Sequence, residues 1–135
     1  MYKNILVPIV FDKERDTNPA IEVAQALAED GARITLLHVM DEVPPYALSY
    51  LSEEYLTEAR KAIVTEMEQM VSGVQNAHAD VVSGHSGRTI LEYAGEKGMD
   101  CIVITSHQPG MQDYLLGSTA ARVVRHAKCA VHVIR

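Results

Sequence analysis

The sequence predicts a single α/β domain, a parallel β-sheet with helices on both faces. Three observations predict it. Short, mostly apolar runs rich in β-branched residues recur at residues 4–10, 33–40, 79–83, 100–105 and 130–134. Each is too short for a helix of its own and reads as a strand buried on both sides. Between them, apolar residues fall three and four apart, the helical period. The length of 135 residues holds one domain, residues 1–135, and leaves no room for a second. Alternating strands and helices, βαβαβαβαβ, mean one parallel sheet with right-handed crossovers.

Each element has its own local reason. NILVPIV at residues 4–10 is the first strand, and Asn18 before Pro19 supplies an N-cap and a favourable first helical residue. Ile21, Ala24, Leu27 and Ala28 share one helical face, with Gly31 expected as the stop. RITLLHVM at 33–40 is the second strand, and residues 41–50, with Pro44-Pro45, are expected as a loop. A long amphipathic helix is expected after Ser52, with Leu56, Ala59, Ile63, Met67, Met70 and Val74 inward. Methionines at that spacing are core filler. ADVVS at 79–83 is a strand ended by Gly84; Ser86 is expected to cap the next helix, with Ile90, Leu91 and Ala94 inward and Gly98 as its stop. DCIVIT at 100–105, a helix over 117–127 and a last strand over 130–134 complete the chain. His38, inside a strand, is expected as a core histidine.

Composition narrows the function. With 47% hydrophobic and 22% charged residues the chain is an ordinary globular protein. It has no apolar run long enough to cross a membrane, and the apolar stretch 5–11 is followed by acids and by no signal-peptide cleavage pattern. Two cysteines, Cys101 and Cys129, sit among apolar neighbours, which suits a reducing, cytoplasmic compartment. Net charge is −6. Residues 41–70 carry seven acids against Arg60 and Lys61, whereas residues 117–135 carry Arg122, Arg125, Lys128 and Arg135 and no acid. An acidic chain without a basic stripe argues against nucleic-acid binding. Walker and dinucleotide-binding glycine motifs are absent. Gly84-His85-Ser86-Gly87 fails the nucleophile-elbow pattern because Arg88 stands at its second glycine. His126, Cys129 and His132 straddle a helix end, a turn and a strand without a fourth ligand nearby, so no metal site is expected.

In parallel α/β sheets ligands bind beyond the carboxyl ends of the strands, where strand order reverses. The loops there are 8–12, 39–45, 84–87 and 105–117. The last carries the strongest signal: Gly117-Ser118-Thr119 opens a helix free of acids. Free N–H groups and the positive end of the helix dipole attract an anion. Gly117 allows close approach, Ser118 and Thr119 add hydroxyls, and Arg122 and Arg125 add positive potential. An ordinary capped helix start has the same residues.

The stretches NILVPI, ITLLHVMDE and ITSHQPGMQDYLLGSTAARVVRHAKCAVHVI, spread over the whole chain, resemble the universal stress protein (UspA-type) family. The Ser-His loop is most similar to the subgroup reading Ser-His-Arg-Pro. The resemblance implies a Rossmann-like fold of the adenine nucleotide alpha hydrolase type: five parallel strands in the order 3-2-1-4-5 with four helices. It implies a homodimer paired through the last strand, here Val131, His132, Val133 and Ile134. One branch binds ATP through G-x2-G-x9-G-(S/T). By position Gly117 and Ser118 match its end, while Thr105 and Gln108 stand at its first two glycines and the loop is one residue shorter. Val7-Pro8-Ile9-Val10 lacks the acid of the family's Val-Pro-x-Asp, with Asp12 two residues further on. The resemblance places adenine on the backbone of Val39, the ribose near Val10, and the loop of Ser86 and Arg88 near a triphosphate.

Together these observations predict a cytoplasmic stress protein that binds ATP or AMP, with or without Mg2+, as a regulatory ligand and is not an enzyme. The expected site is Pro8, Ile9, Val10, Val39, Ile104, Thr105, Ser106, His107, Gln108, Gly117, Ser118 and Thr119. Two alternatives stand beside it: a dimeric interaction module without ligand, and a slow ATPase.

Overall fold

The computed structural model describes residues 1–11, 18–106 and 116–135. In chain order the elements are β1 (Tyr2–Pro8), α1 (Asn18–Leu27), β2 (Ala28–Met40), α2 (Pro45–Leu48), α3 (Glu53–Val71), β3 (Ala77–Ser83), α4 (Ser86–Glu96), β4 (Cys101–Thr105), α5 (Ser118–His126) and β5 (Ala130–Ile134). The strands form one parallel sheet in the order β3-β2-β1-β4-β5. Among the described residues no helix is long and apolar enough to cross a membrane.

Side chains alternate across the strands and build two cores. Ile5, Val7, Ile34, Leu36, Cys101 and Val103 face one way, against Ala20, Ile21 and Ala24 of α1 and Met67 of α3. Leu6, Leu37, Ile102 and Ile104 face the other way, against Ile90 and Ala94 of α4 and Ala120 and Val123 of α5. Burying one such Leu or Ile stabilises the fold by about 1.5–3 kcal/mol. The central strands therefore read as nearly continuous apolar runs. Cys101 and Cys129 pack on opposite faces of the sheet. Both thiols are free.

Several element boundaries differ from expectation for local reasons. β1 ends at Pro8, not residue 10. Proline has no N–H to extend the ladder, and after one more bond, from the Ile9 N–H to the Leu37 carbonyl at 2.8 Å, the chain leaves the sheet. β2 starts at Ala28, directly after α1. Gly31, expected as a helix stop, instead has φ +78° inside an irregularity of the β1–β2 pairing, between Tyr2↔Ala28 and Asn4↔Arg33. The expected loop 41–50 contains α2, opened by Pro45; a four-residue helix is too short to show a period. Ser52 caps α3 as expected, its Oγ accepting from the Tyr55 N–H at 3.0 Å. In that 19-residue helix only Met67 is buried, and Met70 is half-buried. Ser86 is not a cap: His85 occupies the cap position, and Ser86 is the first residue of α4. Its hydroxyl is used elsewhere. Gly98 follows α4 with φ +66°.

The end of the sheet where the strands begin is tied together by polar bonds. The Asp100 carboxylate accepts from the Lys3 N–H at 2.8 Å and the Asn4 N–H at 3.0 Å, and the Asp100 N–H donates to the Asn4 carbonyl at 2.9 Å. The Asn4 amide donates to the carbonyls of Lys97 and Gly98 at 3.0 and 3.2 Å, tying the turn after α4 to β1. The Tyr93 hydroxyl donates to Asp80 at 2.8 Å. Burial first, and then Asp80, pushes the Tyr93 phenol up to about 12, with Arg33 pulling weakly the other way.

Candidate functional site

At the opposite end, where the strands finish, a cleft of ≈ 330 Å³ opens. It lies beyond β1 and β4, the neighbours between which the strand order reverses. β1 and its exit bring Pro8, Ile9 and Val10; β2 brings Val39; β4 and its exit bring Ile104, Thr105 and Ser106; the start of α5 brings Gly117, Ser118 and Thr119. The structure thus gathers these sequence-selected residues around one cavity. His107, Gln108 and Asp12 lie outside the described residues.

The start of α5 supplies the donors. Gly117 is the cap residue and no side chain caps the helix, so the N–H groups of Ser118, Thr119 and Ala120 keep the donor capacity of a first helical turn. The Gly117 N–H itself donates to the Ser106 carbonyl at 2.6 Å. This N–H thus clamps the loop, while Gly117 still lines the cleft. The Ser106 N–H in turn donates to the Ile134 carbonyl at 2.8 Å, fixing the start of α5 to the end of β5. Ser106 is almost fully buried.

A second helix start joins the first. The Ser86 hydroxyl, at the start of α4, lies 3.0 Å from that of Thr119. The two helices meet closely there, since a Cβ on Gly87 would stand 2.8 Å from Cδ of Arg122. Arg122 therefore packs against α4, and Arg88 faces Glu92 at 3.9 Å. Neither lines the cleft, nor does any other Lys or Arg among the described residues. Among the described residues, positive potential in the cleft comes from helix ends and not from side-chain cations.

The cleft also holds residues that sequence reasoning did not select: Leu37, His38, Asp41, Ser86, Ile90 and Ala120. Ser86 thus lies where the resemblance places its loop, whereas Arg88 does not reach the lining. His38 is half-buried at the rim and not a core histidine. One ring nitrogen, Nδ1, lies 2.8 Å from the Ile9 carbonyl, and the ring meets Phe11 edge-on at 4.9 Å, holding the exit of β1 in place. Asp41 is the one carboxylate that lines the cleft among the described residues. Its place just after β2 was the available signal. Leu37, Ile90 and Ala120 could not be told from core by residue type.

The order of the sheet and a cleft at its reversal point define a doubly wound α/β protein of the Rossmann-like class. The chain belongs to the universal stress protein family, whose sequence model matches residues 1–135. It is 34% identical over 143 aligned positions to universal stress protein G of Escherichia coli O157:H7, covering 100% of both chains. It is 29% identical to the solved structure of universal stress protein UspA from Lactobacillus plantarum, with TM-score 0.71 and coverage of 99% and 98%. A universal stress protein family structure from Arabidopsis thaliana, solved with AMP bound, shares the fold at 18% identity, TM-score 0.63 and coverage of 98% and 90%.

Proposed function

We propose that residues 1–135 act as one unit that binds an adenine nucleotide, AMP or ATP, as a regulatory ligand in this cleft without turning it over. The observation that carries the reading is the uncapped start of α5, with the N–H groups of Ser118, Thr119 and Ala120 beside a cleft at the sheet's reversal point. The Arabidopsis relative with AMP bound supports the choice of ligand. In this reading the phosphates rest on Ser118 and Thr119 with Ser86 alongside, and Gly117 holds the loop through Ser106. Thr105, Ile104, Pro8, Ile9 and Val10 form the middle of the site, Val39 lies under the base, and His107 and Gln108 flank the phosphates. Mg2+ accompanies ATP only. The chain works as a homodimer paired through Val131, His132, Val133 and Ile134, because β5 is an unpaired edge. Two free thiols fit the reducing cytoplasm.

Denaturing freshly purified protein and identifying released small molecules by mass spectrometry tests the reading, with stoichiometric AMP or ATP expected. The absence of Lys and Arg from the described cleft lining favours one rival, a dimeric interaction module without ligand. An empty extract together with no binding at millimolar ATP and magnesium selects that rival. Light scattering checks the dimer, and a monomeric mass at micromolar concentration removes it.

A further inference from the structure

The cleft has a polarity that the nucleotide reading leaves unused. One end is the α5 start, rich in donors and short of acceptors. Asp41 stands just beyond Met40, the last residue of β2. Its side chain is exposed, and it makes no hydrogen bond or ion pair with another described residue. β1 lies between β2 and β4 in the sheet, so the ends of β2 and β4 are two strand spacings apart, roughly 10 Å. A ligand with its anion at α5 therefore reaches Asp41 only with a group far from the phosphate. In a nucleoside monophosphate the ribose hydroxyls fall about midway, and the outer edge of the base falls at the far end. An ionised carboxylate accepts hydrogen bonds and donates none. It favours an amino group there and gains nothing from a bare ring edge.

We propose that Asp41 is a specificity residue of the cleft, accepting a hydrogen bond from the 6-amino group of a purine nucleotide whose phosphate sits at Ser118 and Thr119. The inference rests on the nucleotide reading above and adds to it a residue and a direction of selection. A hydrogen bond to a charged acceptor is stronger than one to a neutral acceptor, so the selectivity scales with the charge at position 41.

The test compares AMP with purine riboside 5′-monophosphate, which lacks only the 6-amino group, by titration calorimetry. Wild type, Asp41→Asn and Asp41→Ala are measured after thermal melting confirms that each is folded. Wild type is expected to prefer AMP by about tenfold more than Asp41→Ala does, with Asp41→Asn about threefold above Asp41→Ala and any preference left in Asp41→Ala supplied by the Val39 backbone. Equal affinities in wild type, or an undiminished preference in Asp41→Ala, overturn the role of Asp41 and leave nucleotide binding standing. Loss of both ligands by the same factor in Asp41→Ala also overturns it, because Asp41 then acts on something other than the amino group. No binding of either nucleotide to wild type overturns both proposals.

Discussion

The two ends of the one sheet are built by opposite devices. Where the strands begin, polar groups are spent on one another: Asp100 holds two N–H groups of β1, Asn4 holds the turn after α4, and Tyr93 holds Asp80. Where the strands finish, two helix starts meet with no side chain capping either, and the Asp41 carboxylate stands without a partner among the described residues. A satisfied polar group stabilises; an unsatisfied one at a cleft is free to bind. The difference gives stability to one end and, under the proposed function, recognition to the other.

The comparison breaks if substitutions at the two ends have the same consequence. The largest effect is expected for Ser118→Glu. A carboxylate at an uncapped helix start repels a phosphate while suiting the helix dipole. Nucleotide affinity should fall by about 100-fold or more, with stability changed by less than about 0.5 kcal/mol; calorimetry and urea denaturation read the two effects. Asp100→Ala should do the reverse. Loss of two charge-assisted bonds to β1 should lower stability by about 2 kcal/mol and leave affinity within about twofold of wild type.

A smaller effect sharpens the contrast through pH. The fold raises the Tyr93 phenol from its ordinary value to about 12, so it favours the neutral side chain. That contribution is fully present below about pH 10 and is lost as pH rises through about 12. Because the side chain is partly exposed, solvent screening holds the difference to about 1 kcal/mol. Wild type should lose its advantage over Tyr93→Phe across this window in alkaline urea titrations, and a constant difference would remove the role given to the Asp80 bond.

The smallest effect concerns the thiols, both near the tied end. Burial pushes Cys101 up to about 11 and raises Cys129 as well. Both should react with a disulfide reagent at pH 8 more slowly than a free thiol, Cys129 first because it is only half-buried. Cys101, at 1% exposure, should react no faster than the chain opens.

The fold was legible because its strands are buried on both sides. The runs holding Ile5, Leu6 and Val7 and holding Ile102, Val103 and Ile104 announce parallel strands without help from any partner. Strand order was not legible from periodicity, since nothing local says that β1 pairs with β4; the family resemblance supplied it, and the sheet has that order. Most cavity residues were reachable by the rule that ligands sit beyond strand ends. What escaped were roles set by distant partners. Ser86 reads as a cap until Thr119 is placed beside it, nothing local says that the Gly117 N–H is taken by Ser106, and His38 reads as core until its ring is seen at the cleft. Side-chain partners far apart in the chain leave no periodic trace.

The central place of β1 has a consequence during synthesis. It is made before the other four strands of the sheet, yet one of its edges pairs with β4, which leaves the ribosome some ninety residues later. At translation rates of about 5–20 residues per second, that edge waits roughly 5–20 seconds for its neighbour. Until then the nascent chain presents an apolar strand that β2 and β3 can cover from one side only, so the interval is the time in which a holdase would find it.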